Sequence, residues 1–129
     1  EAQDVVGRWL GDPVAQADLL SSAVSAASAA PPEVRRGLLL DVVERGDALV
    51  VWLDLDAALE EQEADALDMR ALSLRRQGPG QAGSIGAEAE AARLTVEAAR
   101  HEGRAEELRA LKERVVTTRR AALAAMEAP

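Results

Sequence analysis

Five carboxylates in one stretch of the chain have the types and spacing that could support metal chemistry. They are Glu60, Glu61, Glu63, Asp65 and Asp68. Carboxylates at i, i+3 or i, i+4 share a helix face, where a pair can hold Mg²⁺ for attack on a phosphate. Ala64 stands where the third glutamate of an E-E-x-x-E arrangement belongs, and no Asp follows Asp68. We therefore expect a solvated or arginine-paired helix face, and keep a metal-dependent hydrolase using Glu60, Glu61 and Asp65 as the weaker alternative.

The sequence contains few residues that could support other catalytic or cofactor chemistry. The chain contains no Cys and a single His, His101, which removes thiolate catalysis, disulfides and multi-histidine zinc sites. Gly78, Gly80 and Gly83 fit the G-x-G-x-x-G pattern of dinucleotide sites, but that motif requires a preceding β-strand, and here a helical segment precedes it. We expect an interhelical loop over 78–84, no enzymatic activity, no metal site and no cofactor.

Large side chains at helical spacing are the best candidates for a binding surface. Trp9 and Trp52 are the only aromatic residues, and Trp is frequent both in cores and at interface hot spots. His101 falls on the apolar stripe of the last helical segment, where a lone histidine is most often a packed or interface residue. The predicted partner or ligand groove consists of Trp9, Trp52, Leu55, Leu59, His101 and Leu108.

Length and charge restrict the class of protein. The chain has 129 residues, a net charge of −8 and 48% hydrophobic residues, which fits one domain with a packed core. An acidic chain is a poor ligand for a phosphate backbone, so we expect no nucleic-acid partner. No apolar run approaches the ~18 residues of a membrane span. The small residues that end the 19–30 run follow an acidic segment, so we expect no signal peptide and a cytoplasmic location.

The elements that must position these residues all read as helices. Ala, Leu, Arg, Glu and Gln dominate the sequence, and all are strong helix formers. Asp12 and Pro13 are typical of a helix start, and Pro31-Pro32 marks the end of that helix. The N-terminal helices therefore occupy about 2–45: a short one before Gly11, one over 13–29 and one from Pro32. At Gly46 we favour a break or kink, with a new helix from Asp47 to about Gln77.

Two apolar stripes run along the segment 47–77, and a third follows the final helix from about Ile85 to Met126. The first stripe contains Trp52, Leu55, Leu59, Ala66 and Met69. Its neighbour contains Val50, Leu53, Ala57, Ala64, Leu67, Ala71 and Leu74. The stripe of the final helix reads Leu94, Ala98, His101, Ala105, Leu108, Leu111, Val115, Ala122 and Met126. Two adjacent stripes predict a wide buried face, as in a helical bundle.

Charge patterning predicts how these two helices meet. Every charge from Asp47 to Asp68 is negative, whereas the final helix carries many arginines. Folding about the 78–84 loop would bring together Arg76 and Glu88, Glu63 and Arg100, Glu60 and Arg104, and Asp54 and Arg109. Exposed ion pairs contribute little energy, but they favour one arrangement over another. We therefore predict a single all-α domain over 1–129: a long antiparallel helical hairpin over about 47–127, with the shorter N-terminal helices packed on it.

The alanine-rich faces of so long a hairpin exceed what short N-terminal helices can cover. We therefore expect a homodimer, most simply with twofold symmetry. With no catalytic constellation, the leading hypothesis is a protein–protein interaction module, such as an adaptor, export chaperone or assembly factor, that offers helical grooves to a protein partner. The alternative is a helical-bundle sensor or effector domain that binds a small ligand between helices near Trp52.

Overall fold

Three α-helices form the protein in a computed structural model that describes residues 12–77 and 84–128. They are α1 (Pro13–Ser28), α2 (Pro32–Arg76) and α3 (Ser84–Glu127). Helix accounts for 95% of the described residues, and none of those residues lies in a strand. The all-α class is therefore confirmed. The helix expected before Gly11 and residues 78–83 of the predicted loop lie outside the described ranges.

The ends of α1 follow the predicted signals. The Asp12 carboxylate accepts a hydrogen bond from the backbone N–H of Val14 at 3.0 Å, and Pro13 occupies the first turn. This N-cap satisfies a donor that the first turn leaves without an intrahelical acceptor. α1 ends at Ser28, and α2 begins at Pro32. The helix start predicted at Pro13 is confirmed, and the predicted end at residue 29 is one residue too late.

α2 continues through Gly46 as one helix of 45 residues, so the interruption predicted there is wrong. A glycine inside a helix costs only about 1 kcal/mol relative to alanine, which packing on either side can offset. Val42, Val43 and Leu49 are all buried around it. Gly46 itself is buried, and a Cβ built on it would lie 3.8 Å from Val115 Cγ1. The glycine therefore lies against α3 rather than at a helix end.

The chain divides into two compact units. The first comprises Glu1–Asp54 and Arg109–Pro129, and the second comprises Leu55–Leu108. The core of the first unit draws on all three helices and contains Ala17, Leu20, Ala27, Leu39, Val42, Val43, Leu49, Leu53, Leu111, Val115 and Ala122. Polar contacts also tie α1 to α3 in this unit, since Arg114 bonds Asp18 at 2.6 Å.

The core of the second unit alternates small and large side chains. It is built from Ala64, Leu67 and Ala71 of α2 and from Ala91, Leu94 and Ala98 of α3, with Leu74 packed against it. Alanine opposite leucine lets two helices approach closely while their side chains interdigitate. Of the two predicted stripes on the 47–77 segment, the one containing Leu53, Ala57, Ala64, Leu67 and Ala71 is the buried one.

Ion pairs give the direction of the helix segments within each unit. In the second unit Arg75 pairs with Glu88 at 3.4 Å, and Arg104 pairs with Glu60 at 3.1 Å. Residue numbers fall along α2 as they rise along α3, so these segments run antiparallel. The Glu60–Arg104 pair is as predicted, whereas the partner of Glu88 is Arg75 rather than Arg76.

In the first unit the pairs are Asp54–Lys112 at 2.8 Å and Asp47–Arg119 at 2.5 Å, which again run in opposite directions along α2 and α3. The sequence predicts Arg109 as the partner of Asp54. The observed partner, Lys112, lies about one turn further along α3. Among the residues described, none of the helices has a segment that is long and apolar enough to cross a bilayer.

Candidate functional site

An apolar stripe of α2 in the second unit faces solvent. Leu55 is 49% exposed, Leu59 53% and Met69 71%, and Ala66 between them is also exposed. These four residues form the outer stripe. At 100° per residue they share one helix face, on the opposite side of α2 from its packed face. Among the described residues, the inner stripe packs against α3 and these four residues do not, so the wide buried face predicted from two stripes is not formed by the described part of the chain.

Carboxylates border the outer stripe on both sides. By helical projection, Asp56 and Glu63 lie along one edge and Asp65 lies along the other, with Glu61 and Asp68 further round the helix on that side. All five are exposed, and together they are named the acidic borders. Within the described ranges, Asp56, Glu63, Asp65 and Asp68 form no ion pair. The stripe is thus flanked by carboxylates, four of which are not paired with a cation of the described chain.

The facing segment of α3 contains ion pairs between residues of the same helix. Arg93 bonds Glu90 at 2.6 Å and Glu97 at 3.1 Å, both within one turn of the same helix. The hydrogen bond from Arg93 holds the pKa of Glu90 below its usual value, and the same bond raises the pKa of Arg93. Such pairing within a helix neutralises part of its charge. Residues 84–108 of α3 contain six acidic and three basic residues, as do residues 55–76 of α2, so what distinguishes α2 is that its carboxylates flank an apolar face.

His101 belongs to a polar cluster with Glu60 and Arg104. Glu60 Oε2 lies 2.5 Å from His101 Nδ1, and its Oε1 lies 3.1 Å from Arg104 Nε. Because a carboxylate only accepts hydrogen bonds, Nδ1–H is the donor. The side chains of His101 and Glu60 are 29% and 21% exposed. His101, which the sequence predicts as a packed or interface residue on the apolar stripe of α3, is thus half-buried and forms a hydrogen bond across the two helices.

A shallow groove of about 500 Å³ opens beside this cluster. Its lining consists of Glu60, Glu97, Arg100, His101, Gly103, Arg104 and Glu107. Sites for small molecules are usually lined mainly by apolar and aromatic side chains, and this groove has none. Trp52, around which the ligand hypothesis was built, is half-buried in the first unit and does not line it.

The carboxylates of the hydrolase hypothesis do not converge. In the part of the chain that the structure describes, no group of three or more His, Asp or Glu side chains is placed to hold a metal ion. Glu60 is bonded to His101 and Arg104, while Glu61 and Asp65 are exposed on the outward side of α2. The geometry therefore offers no support for metal chemistry at these three residues.

The structure separates the residues of the predicted groove. Leu55 and Leu59 lie on the outer stripe, whereas Leu108 is buried in the second unit. Trp9 lies outside the described residues. The sequence places Met69 on one stripe with Leu55 and Leu59, but the predicted groove left it out, and the acidic borders beside the stripe were missed. A helical projection of 55–69 could have found the borders, because the carboxylates fall on both edges of one apolar face.

Comparison with known proteins finds no match. No protein-family model matches the chain, and neither the curated proteins nor the solved structures contain a match. The residues and contacts of the chain itself are therefore the basis for assigning a function.

Proposed function

We propose that this protein is a non-enzymatic protein–protein interaction module, of the kind that serves as an adaptor, export chaperone or assembly factor. The observation that carries the proposal is the outer stripe, where Leu55, Leu59 and Met69 are each about half exposed or more. Isolated exposed apolar residues are ordinary on protein surfaces. A row of them along one helix face, rimmed by charge, is typical of a surface that binds another protein.

The position of the stripe supports this use. It lies opposite the face of α2 that packs on α3, so the core of the second unit is complete without it. From Leu55 to Met69 the stripe runs about 21 Å at 1.5 Å per residue, which is about four helical turns. A partner helix lying alongside could place apolar side chains against it at i, i+3 or i+4, and i+7.

We also infer the larger architecture that the sequence predicts. In this proposal α2 and α3 form one long antiparallel hairpin over about 47–127, with α1 packed on it as a helical bundle. The proposal includes the expected homodimer, because alanine-rich helix faces of this length exceed what one short helix can cover. Sedimentation at tens of micromolar tests that expectation, and a monomer at that concentration would contradict it.

Affinity capture with matched variants tests the proposed function. Leu59→Gln/Met69→Gln makes the outer stripe polar, and Val96→Gln is the control, since Val96 is 55% exposed but lies on α3. We expect a specific protein retained by the wild type and by Val96→Gln but lost by the double variant. Recovery of the same proteins by all three chains would contradict the proposal.

A sensor or effector domain is the alternative function. Its one structural support is the groove beside Glu60 and His101, whose lining carries both carboxylates and cations. Tryptophan fluorescence and thermal melting against a metabolite library test this alternative. Stabilisation by Mg²⁺ or Mn²⁺ would instead favour the hydrolase, because a ligand that binds only the folded state raises the melting temperature.

A further inference from the structure

We infer that the outer stripe and its acidic borders bind a basic amphipathic helix of another protein. This inference rests on the proposed function and adds the chemistry of the partner. The matching helix carries an apolar stripe of its own, with Lys or Arg along both edges. Apolar side chains would cover Leu55, Leu59 and Met69, while cations would face the borders.

The charge around the stripe carries this argument. Between Asp47 and Asp68 the sequence contains no Lys or Arg, and the next basic residue is Arg70. Asp56 and Glu63 on one edge, Asp65 on the other and Asp68 beyond it form no ion pair within the described ranges. Unpaired carboxylates beside an apolar face disfavour acidic partners and attract basic ones, because complementary potentials steer association and like charges oppose it.

A second copy of the chain fits this surface poorly. Both edges are acidic, and residues 55–69 contain no Lys or Arg. Stripe-to-stripe pairing therefore places carboxylates of one copy near carboxylates of the other. The apolar area is also small. Three partly exposed side chains and one alanine present a few hundred Å², against the ~800 Å² that each partner contributes to a standard interface. A basic helix adds favourable polar contact at both edges, whereas a second copy adds repulsion.

A pair of synthetic helices provides the probe. The first is a peptide of about five turns, ~18 residues, with leucine along one stripe and Lys or Arg along both edges. The second replaces every Lys and Arg with Glu. Binding to the full chain is measured by fluorescence anisotropy at low and high salt, and circular dichroism verifies that each protein variant is folded.

We expect the basic peptide to bind at least about tenfold more tightly than its acidic twin, and added salt to weaken it, because the edge contacts are screened. Leu59→Gln/Met69→Gln weakens it by about tenfold or more, since two apolar contacts are lost. Val96→Gln stays within about twofold.

A charge-matched pair of variants isolates the borders. Glu63→Gln/Asp65→Asn removes one carboxylate from each edge, and Glu102→Gln/Glu106→Gln removes two exposed carboxylates from α3. We expect the first to weaken the basic peptide by about two- to tenfold and the second to leave it nearly unchanged.

The remaining outcomes overturn the inference in distinguishable ways. Equal binding of the two peptides refutes the basic partner but leaves the stripe as a docking surface. Failure of both peptides to bind, or equal loss with Val96→Gln, refutes docking at the stripe, and the proposed function then depends on the affinity-capture result. A dimer that Leu59→Gln/Met69→Gln dissociates shows that a second copy covers the stripe.

Discussion

Replacing Gly46 with alanine tests whether α2 is one helix. In a continuous helix this change removes the glycine penalty of about 0.5–1 kcal/mol. The new methyl would also lie 3.8 Å from Val115 Cγ1 and 3.9 Å from Arg119 Cβ, which are ordinary contacts without a clash. Burying that methyl contributes about 0.8 kcal/mol more. We therefore expect Gly46→Ala to raise the free energy of unfolding by about 1–2 kcal/mol.

Urea denaturation followed by far-ultraviolet circular dichroism measures the effect, with an unchanged slope showing that the change is in stability. Gly103→Ala in α3 is the control. A Cβ built on Gly103 meets nothing within 4 Å, so the free energy of unfolding rises only by the glycine penalty of about 0.5–1 kcal/mol. If Gly46 instead ended a helix in a left-handed conformation, alanine would destabilise the protein. Destabilisation by Gly46→Ala alongside stabilisation by Gly103→Ala would therefore refute the continuous helix.

Three further predictions concern the packing and the ion pairs. Leu94→Ala, at a side chain 1% exposed, lowers the free energy of unfolding by about 2–5 kcal/mol, whereas Leu59→Ala changes it by less than about 0.5 kcal/mol. Equal losses of the free energy of unfolding in urea denaturation would show that Leu59 is packed as tightly as Leu94, which contradicts an exposed outer stripe. Glu60→Gln removes the carboxylate that bonds both His101 and Arg104 across the helices and costs about 1 kcal/mol in the same assay; no loss would show that the cluster is not formed in solution. The hydrogen bond and charge of Asp54 raise the pKa of Lys112 above its ordinary value of 10.5, so the stabilisation from this pair is complete below that ordinary value and is lost as pH rises through the raised one. The stability difference between wild type and Asp54→Asn should shrink at alkaline pH, and a difference that grows there would contradict the assignment.

Helix boundaries that depend on local chemistry could be predicted from the sequence. Asp12 followed by Pro13 and the Pro31-Pro32 pair each have one dominant structural meaning, since a cap or a missing N–H acts on its own turn. Gly46 followed by Asp47 has two meanings, a C-cap or a tolerated glycine. Only the packing of α3 against Gly46, a contact between residues far apart in the sequence, decides between them.

The choice of buried stripe also depended on distant contacts. Both stripes of the 47–77 segment are apolar, and the outer one even has large side chains such as Leu59 and Met69. The inner stripe is the buried one because its alanines, including Ala64 and Ala71, pack against α3. The periodicity of the sequence does not show this fit. For Asp54 and Glu88 the observed cation lies within about a turn of the predicted one, whereas Glu63, predicted to meet Arg100, forms no ion pair within the described ranges.

The most direct test of the central claim, that the outer stripe is where this protein meets its partner, is methyl NMR during titration with the basic peptide. The account predicts that the methyl signals of Leu55, Leu59 and Met69 shift as the peptide is added, while those of Leu67 and Leu94 in the core of the second unit stay in place. Shifts confined to residues of α3, such as Ile85 or Val96, or an absence of shifts at a saturating peptide concentration, would contradict it.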